Sequence, residues 1–247
     1  RITSLTPNSG PNGQSTTIAG DHLCEPSGTC QTAATFNTTA DDGNDVEWGT
    51  SDAVVTGTPS NTQIIANAPT LTDGGYQVTV TTGGGTSYTS NELPFTIANA
   101  ITTISNFVTA EPANSIIAPA ASALVDSFGL QTSAGADTVT GATVTLAVGT
   151  GARVATVAIT NDGDTVTYCS AAPVGDVATL STCGIPVSIT NTQFKVKITA
   201  ISHATMPVPP GASYAVTGTV TAFTSTNSKS GTDSGSATVT IDNTSPN

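Results

Sequence analysis

Positive charge is scarce in this sequence. Lys and Arg together number 5, against 17 Asp and Glu, so the formal net charge of the 247-residue chain is −12. A surface of this sign repels a phosphate backbone and has few cations with which to replace its counterions. Nucleic-acid binding is therefore excluded from the functions that we expect.

Long apolar runs and catalytic candidates are also few. No run approaches the roughly 20 apolar residues that span a bilayer, and no signal peptide is visible, so we expect no membrane span. The chain begins at Arg1 and not at Met, which leads us to expect a processed or excised piece. His22 and His203 are the two histidines, one in each half, and no G-x-S-x-G motif is present. We expect that the protein is not an enzyme.

Aromatic residues make up only 4% of the chain. Binding of a glycan would need a concave aromatic surface, for which Trp48, Tyr76 and Tyr88 are the candidates. The glycine-rich stretch "GPNGQST" at residues 10–16 lacks the lysine of a phosphate-binding loop. A Thr-rich strand follows it where a phosphate site needs the start of a helix. We therefore interpret this stretch as a turn.

Threonine, by contrast, occupies about a fifth of all positions, and β-branched residues favour strands. Alternating runs such as "YQVTVTT", in which Tyr76, Val78 and Val80 would face a core, recur about every eight to twelve residues. Breaks such as "PNSGPNG" and "TDGG" supply the residues of tight turns. The sequence predicts an all-β fold of two tandem immunoglobulin-like β-sandwiches.

Three motifs in the first half carry a family resemblance. They are "ITSLTPNSGPNGQSTTIAGDHL", "QIIANAP" and "GGYQVTVTTGGGTSYTSNELPFTI", in this order. Together they resemble an IPT/TIG domain over residues 1–98, with an insertion between Cys24 and Cys30 and an acidic segment "DDGNDVEW" that depart from the pattern. The family includes receptor and DNA-binding members, but the charge argues against DNA and no residue favours the receptor reading.

The composition changes at residue 99. Residues 99–122 mix Pro, Ala and Asn with apolar residues, and we interpret them as a linker or an exchanged strand. Residues 123–247 are predicted to form the second immunoglobulin-like sandwich. Its ending, "VTIDNTSP", resembles those of the tandem modules in very large bacterial surface proteins. The resemblance implies a modular array on a cell surface.

The four cysteines suggest two local disulfides. Pairing Cys24 with Cys30 and Cys169 with Cys183 is the economical choice among three connectivities. A zinc site is the competing interpretation, but the spacings do not match the usual ligand patterns. Disulfides predict an oxidising compartment, and hence an extracellular, cell-surface location.

Acidic turns are the candidates for a metal site. "NDGD" places Asp162 and Asp164 on one turn, and "DDGND" gathers Asp41, Asp42 and Asp45. Carboxylates on loops suit calcium, although Asx-Gly runs are also ordinary hairpin turns. We expect no other cofactor.

Four further residues are candidates for modification or charge pairing. The sequons at Asn37 ("NTT") and Asn243 ("NTS") predict glycan attachment, although a Thr-rich chain contains such triplets by chance. Lys195 and Lys197 in "FKVKI" share one face of a strand. We interpret them as edge-strand charges that discourage aggregation, with a Lys–Asn cross-link as the alternative.

The leading functional hypothesis is structural. We expect an extracellular subunit or segment of a cell-surface filament, sheath or adhesin, whose partners are copies of itself or neighbouring modules. Assembly could use sandwich contacts or strand donation, with residues 99–121 or the N-terminal "RITSLT" as donor. The alternative is a glycan- or protein-binding adhesion module, or the accessory domains of a secreted hydrolase.

Overall fold

The computed structural model describes residues 1–24, 30–37, 44–83, 88–206 and 212–244. The chain divides into two compact units, Arg1–Asn99 and Ala100–Asn247. Strands dominate both, as the abundance of β-branched residues predicts. No helix among the described residues has the length and apolar character to cross a membrane. The prediction of an all-β fold with immunoglobulin-like sandwiches is confirmed.

The described part of the first unit contains two sheets and one short helix, α1 (Ala33–Phe36), which Thr32 caps with its hydroxyl. Its strands are β1 (Ile2–Thr6), β2 (Ser9–Gly10), β3 (Ser15–Gly20), β4 (Asp45–Trp48), β5 (Ser51–Asp52), β6 (Val54–Ser60), β7 (Gln63–Asn67), β8 (Gly74–Thr82), β9 (Tyr88–Thr89) and β10 (Leu93–Ile97). One sheet has the order β1-β3-β7-β6. The other has the order β2-β10-β8-β4-β5, and β9 pairs with β8.

Both sheets of the first unit contribute to one apolar core. Trp48 and Phe95 are fully buried, with ring centroids 5.5 Å apart in an edge-to-face arrangement. Val78 and Val80 on β8 are also buried, in the alternation that the sequence predicts. The stretch at residues 10–16 is a turn: Gln14 N–H donates to Pro11 O at 3.0 Å, and Gly13 has a φ of 78°.

In the second unit, the residues that the structure describes form three sheets and three short 3₁₀ turns, at Val108–Ala110, Gly151–Arg153 and His203–Thr205. Its strands are β11 (Ile101–Asn106), β12 (Ser115–Ile117), β13 (Ser122–Thr132), β14 (Asp137–Leu146), β15 (Val154–Asn161), β16 (Thr167–Ala171), β17 (Val177–Val187), β18 (Thr192–Ala200), β19 (Ser213–Val216), β20 (Gly218–Thr224), β21 (Ser228–Thr232) and β22 (Val239–Asp242). The sheet orders are β16-β15-β18-β13-β11-β21, β12-β22-β19 and β17-β14-β20.

One apolar core joins the three sheets of the second unit. Phe128 and Phe194 belong to this core, and their ring centroids lie 5.8 Å apart. The register of β13 against β18 shifts between Leu124 and Asp126, which marks a bulge. Residues 99–122, for which a linker or an exchanged strand is predicted, contain β11 and β12, and both strands pair inside the second unit.

Candidate functional site

Both predicted disulfides are present. Cys24 is bonded to Cys30, and Cys169 to Cys183, with sequence separations of 6 and 14. No cysteine is left to act as a zinc ligand, because the chain has only these four. Cys169 lies on β16 and Cys183 on β17, which belong to different sheets. The second bond therefore fastens one sheet of its unit to another.

The acidic turn predicted as a calcium site is paired with lysines. Lys195 Nζ lies 3.1 Å from Asp162 Oδ1, and Lys197 Nζ lies 2.8 Å from Asp164 Oδ1. Both lysines belong to β18, which lies between β15 and β13. The interpretation of these lysines as edge-strand charges is therefore wrong: they neutralise the neighbouring hairpin.

The second acidic run is only partly described. Asp45 begins β4 opposite Thr81, while Asp41 and Asp42 lie outside the described residues. Within the described part of the chain, no three Asp, Glu, His or Cys side chains stand close enough together to hold a metal ion as they are placed. Calcium at either predicted run remains a prediction.

The two sequons lie in different surroundings. The side chain of Asn37 hydrogen bonds to the backbone of β6: its Nδ2 donates to Val55 O at 2.9 Å, and Val55 N–H donates to its Oδ1 at 2.7 Å. Asn243 is 0% exposed, and its Oδ1 lies 2.5 Å from His203 Nδ1. A glycan on Asn243 would require this side chain to leave its buried position, and attachment there remains a prediction. Glycosylation of Asn37 would break the hydrogen bond that its Nδ2 donates to Val55 O on β6.

The candidate ligand-binding residues do not converge either. Trp48 is in the core, Tyr76 donates its hydroxyl to Thr72 O at 3.0 Å, and Tyr88 is 55% exposed on β9. The concave aromatic surface that the glycan-binding alternative requires is therefore not formed by these three.

The two histidines lie in different units. His22 belongs to the first unit and His203 to the second, where Asn243 is the hydrogen-bond partner of His203.

The strands near the two ends of the second unit form parallel pairs. β11, the first strand, pairs in parallel with β21 through five residue pairs, from Ile101 opposite Ser228 to Ser105 opposite Thr232. β12 pairs in parallel with β22, the last strand. The strands near the start and the end of the second unit thus run side by side in the same direction.

The first unit repeats this arrangement on a smaller scale. β2 pairs in parallel with β10, with Ser9 opposite Thr96 and Gly10 opposite Ile97. Thr96 N–H donates to Asn8 O at 3.1 Å, and Ala98 N–H to Gly10 O at 2.9 Å. In both units, an early strand is hydrogen bonded in parallel to a late one.

Asp137 fixes one end of the β11–β21 pair. Its buried carboxylate accepts hydrogen bonds from the hydroxyls of Thr102, Ser225 and Thr226 and from Thr138 N–H. Burial acts to raise the pKa of Asp137, but these hydrogen bonds outweigh burial and hold the pKa below its ordinary value. Thr102 belongs to β11, and the two other hydroxyls precede β21, so the carboxylate ties both strands to β14.

Three acids that sequence analysis did not identify lie at the other end of this pair. Asp126 is 0% exposed on β13, Asp233 follows β21, and Glu111 follows the first 3₁₀ turn. Burial, together with the neighbouring Asp233 and Glu111, raises the pKa of Asp126 to about 9. Burial also raises the pKa of Glu111 and of Asp233. The sequence held one signal: in "SALVDSFGL", an acid interrupts an apolar strand.

Comparisons with known proteins agree with the resemblance of the first half. The family model described as "IPT/TIG domain" matches residues 1–97, which confirms the prediction for residues 1–98. No curated protein matches the chain at the level of significance applied.

Solved structures give distant likenesses. A γ-CGTase from Alkalophilic bacillus clarkii is 14% identical, with a TM-score of 0.30, and is matched over 96% of this chain and 26% of its own. The Bacteroides ovatus protein SGBP-B, in complex with a mixed-linkage heptasaccharide, is 10% identical over 98% and 44%, with a TM-score of 0.26. Adhesin InvE from Yersinia pseudotuberculosis is 16% identical over 92% and 59%, with a TM-score of 0.22. The chain thus spans about a quarter to three fifths of the length of these structures.

Proposed function

We propose that this protein is a structural module of an extracellular surface assembly and that it transmits tension between its chain ends. The observation that carries this proposal is the parallel pairing of early and late strands in both units, β2 with β10 and β11 with β21. In the second unit β11 is the first strand and only β22 follows β21, while in the first unit only β1 precedes β2 and β10 is the last strand. Force applied at the two ends of a unit therefore reaches these pairs after at most one other strand.

The direction of the strands decides how such force is resisted. When two parallel strands are pulled from opposite ends, all the hydrogen bonds between them are sheared together. The bonds of an antiparallel hairpin pulled from its open end break one after another. Forced unfolding is governed by the unfolding rate, and a barrier in which many bonds break at once makes that rate small. The five-pair ladder between β11 and β21 is suited to this task.

Composition and disulfides favour an extracellular location. Two local disulfides persist in an oxidising environment, and a chain with only five basic residues has little affinity for nucleic acid or anionic surfaces. We place the module in a filament, sheath or adhesin, in contact with copies of itself or with neighbouring modules.

Assembly in this proposal uses contacts between sandwiches, with strand donation as a second route. Both candidate donors are already paired: β1 with β3, and β11 with β13 and β21. Donation of either strand to another copy therefore requires its release from its own unit, and a head-to-tail exchange of that kind extends into a fibre. Electron microscopy of the purified chain at rising concentration tests this part, because single particles at all concentrations would contradict self-assembly.

Single-molecule force spectroscopy with handles at the two termini tests the mechanical role. Gly231 has a φ of 80°, and a side chain there would collide with Ile104 O across the β11–β21 pair. Gly231→Ala should lower the unfolding force of the second unit. Gly135→Ala is the matched control, because Gly135 also has a positive φ, of 66°, but no atom lies within 4 Å of the added carbon. Equal unfolding forces in the two variants would contradict the proposal.

A further inference from the structure

The end of the β11–β21 pair holds a set of buried oxygen atoms without hydrogen-bond donors. Eleven buried side-chain polar atoms of the described residues have no hydrogen-bond partner, and five of them lie here. The five are Asn106 Oδ1, both carboxylate oxygens of Glu111, Asp126 Oδ2 and Asp233 Oδ1. Each orphaned acceptor costs about 1–3 kcal/mol, and folded proteins keep only a few per 100 residues. Five such oxygens in one place are explained by a bound ligand that pairs with them.

Backbone contacts show that these side chains converge. Ser127 N–H donates to Asp126 Oδ1 at 2.8 Å, and Phe107 N–H, which directly follows Asn106, donates to Ser127 O at 3.1 Å. Val220 N–H donates to Asp233 Oδ2 at 2.9 Å. A side chain at Gly235 would collide with Glu111 Oε1, and its first carbon would lie 2.6 Å from Asn106 Oδ1.

Among the described residues, no cation acts on these carboxyls. The charged groups that act on Glu111 and Asp126 are the other carboxyls of the cluster. Asp126 and Asp233 lie within hydrogen-bonding reach of each other. One proton shared between them would satisfy two of the five oxygens. It would leave both oxygens of Glu111 and the amide oxygen of Asn106 without a partner.

We propose that Asn106, Glu111, Asp126 and Asp233 form a calcium site in the second unit. A divalent cation satisfies all five oxygens at once and offsets the repulsion among three carboxylates. Calcium takes six to eight oxygen ligands in flexible geometry, so five side-chain oxygens leave room for water or a backbone carbonyl. Magnesium demands a stricter octahedron and keeps most of its own water. The ion also requires the carboxylates to draw closer than they now stand.

The position gives the ion a structural consequence. Asn106 ends β11, and Asp233 directly follows β21, so bound calcium would fasten the two strands beyond their last residue pair. Asp126 adds β13 and the bulge beside it. The inference does not depend on the proposed function, since it rests on the orphaned oxygens alone.

Calorimetric titration of the full-length chain with calcium chloride, after treatment with a chelator, tests the site at pH 7. We expect one ion per chain and a higher melting temperature with calcium than with the same concentration of magnesium. Glu111→Gln should weaken binding by about tenfold or more, because it removes a charged ligand. Gly235→Ala should do the same by displacing Glu111 and Asn106.

Asp162→Asn is the matched control, because Asp162 belongs to the acidic turn that pairs with Lys195 and lies outside the proposed site. Its affinity for calcium should equal that of the unaltered chain. Loss of binding in this variant, or unchanged binding in both Glu111→Gln and Gly235→Ala, would overturn the site. Absence of binding up to roughly 10 mM calcium, above the weakest extracellular sites, would overturn it as well. Far-UV circular dichroism checks that each variant is folded.

Discussion

The two units differ in what they bury. In the described part of the first unit, the buried polar residues are all neutral: Thr16, Asn44 and Thr82. The second unit buries Asp126 and Asp137, and these two differ from each other. Asp137 has a donor for each carboxylate oxygen, whereas one oxygen of Asp126 has none. A buried carboxylate is stable where the fold supplies hydrogen-bond donors. Where the fold supplies none, the carboxylate requires a partner from outside the chain.

The disulfides of the two units also differ. The bond between Cys24 and Cys30 closes a short local loop, whereas that between Cys169 and Cys183 joins two sheets of its unit. The first unit is closed by an apolar core around Trp48 and Phe95. The second combines its core with a cross-link and with the hydrogen bonds of Asp137 at the start of β11. Three sets of variants sharpen this comparison.

The largest effect is expected from removal of the disulfides. Cys169→Ala with Cys183→Ala should lower the free energy of unfolding by about 3 kcal/mol, and Cys24→Ala with Cys30→Ala by about 2 kcal/mol, because the shorter loop restricts the unfolded chain less. Urea unfolding measures both, and hydrogen exchange with mass spectrometry assigns each loss to a unit. A larger loss in the first unit than in the second would contradict the comparison.

An intermediate effect is expected at Asp137. Asp137→Asn should cost about 2 kcal/mol at pH 7, because it leaves buried hydroxyls with fewer acceptors. The pKa of Asp137 is lowered in the folded state, so its stabilisation is present above the unfolded pKa of about 3.9 and is lost as the pH falls through the folded value. The difference between wild type and variant should therefore shrink below about pH 4.

Thermal melts of Asp52→Asn control for the change in net charge, because Asp52 is an exposed acid of the first unit. A difference between Asp137→Asn and wild type that stays constant from neutral to acidic pH would show that Asp137 is not held by these hydrogen bonds as an anion.

The smallest effect is expected at the ion pairs on β18. Lys195→Ala and Lys197→Ala should each cost less than about 1 kcal/mol, because the pairs are partly exposed and screened. Raising the salt concentration should remove most of that difference in urea unfolding. A loss above that of Asp137→Asn would mean that surface charge matters more to the second unit than buried charge.

Local patterns were sufficient for much of the fold. Alternation placed Val78 and Val80 in the core, and turn chemistry identified the stretch at residues 10–16. Cysteine spacing gave the correct pairs, because the residues that close a local loop are near each other in the unfolded chain as well. The IPT/TIG motifs located the first unit for the same reason: each covers strands and turns that follow one another directly in the sequence.

Long-range placement was beyond these patterns. The lysines of "FKVKI" suggested an edge strand, yet β18 is internal, because strand order is set by packing between residues far apart in sequence. Asn243 is in a sequon but is buried against His203. Asp41 and Asp42 lie outside the described residues, and calcium binding there remains a prediction.

The sequence by itself determined that this chain forms strands, where many of them turn, and which cysteines pair. These properties depend on side-chain period, backbone freedom and short loops, all of which are local. Only the tertiary structure decided that β11 runs parallel to β21 and that Glu111, Asp126 and Asp233 meet at the end of that pair. Residues more than a hundred positions apart are brought together there by the burial of a shared apolar core, a property of the whole unit that no local pattern records.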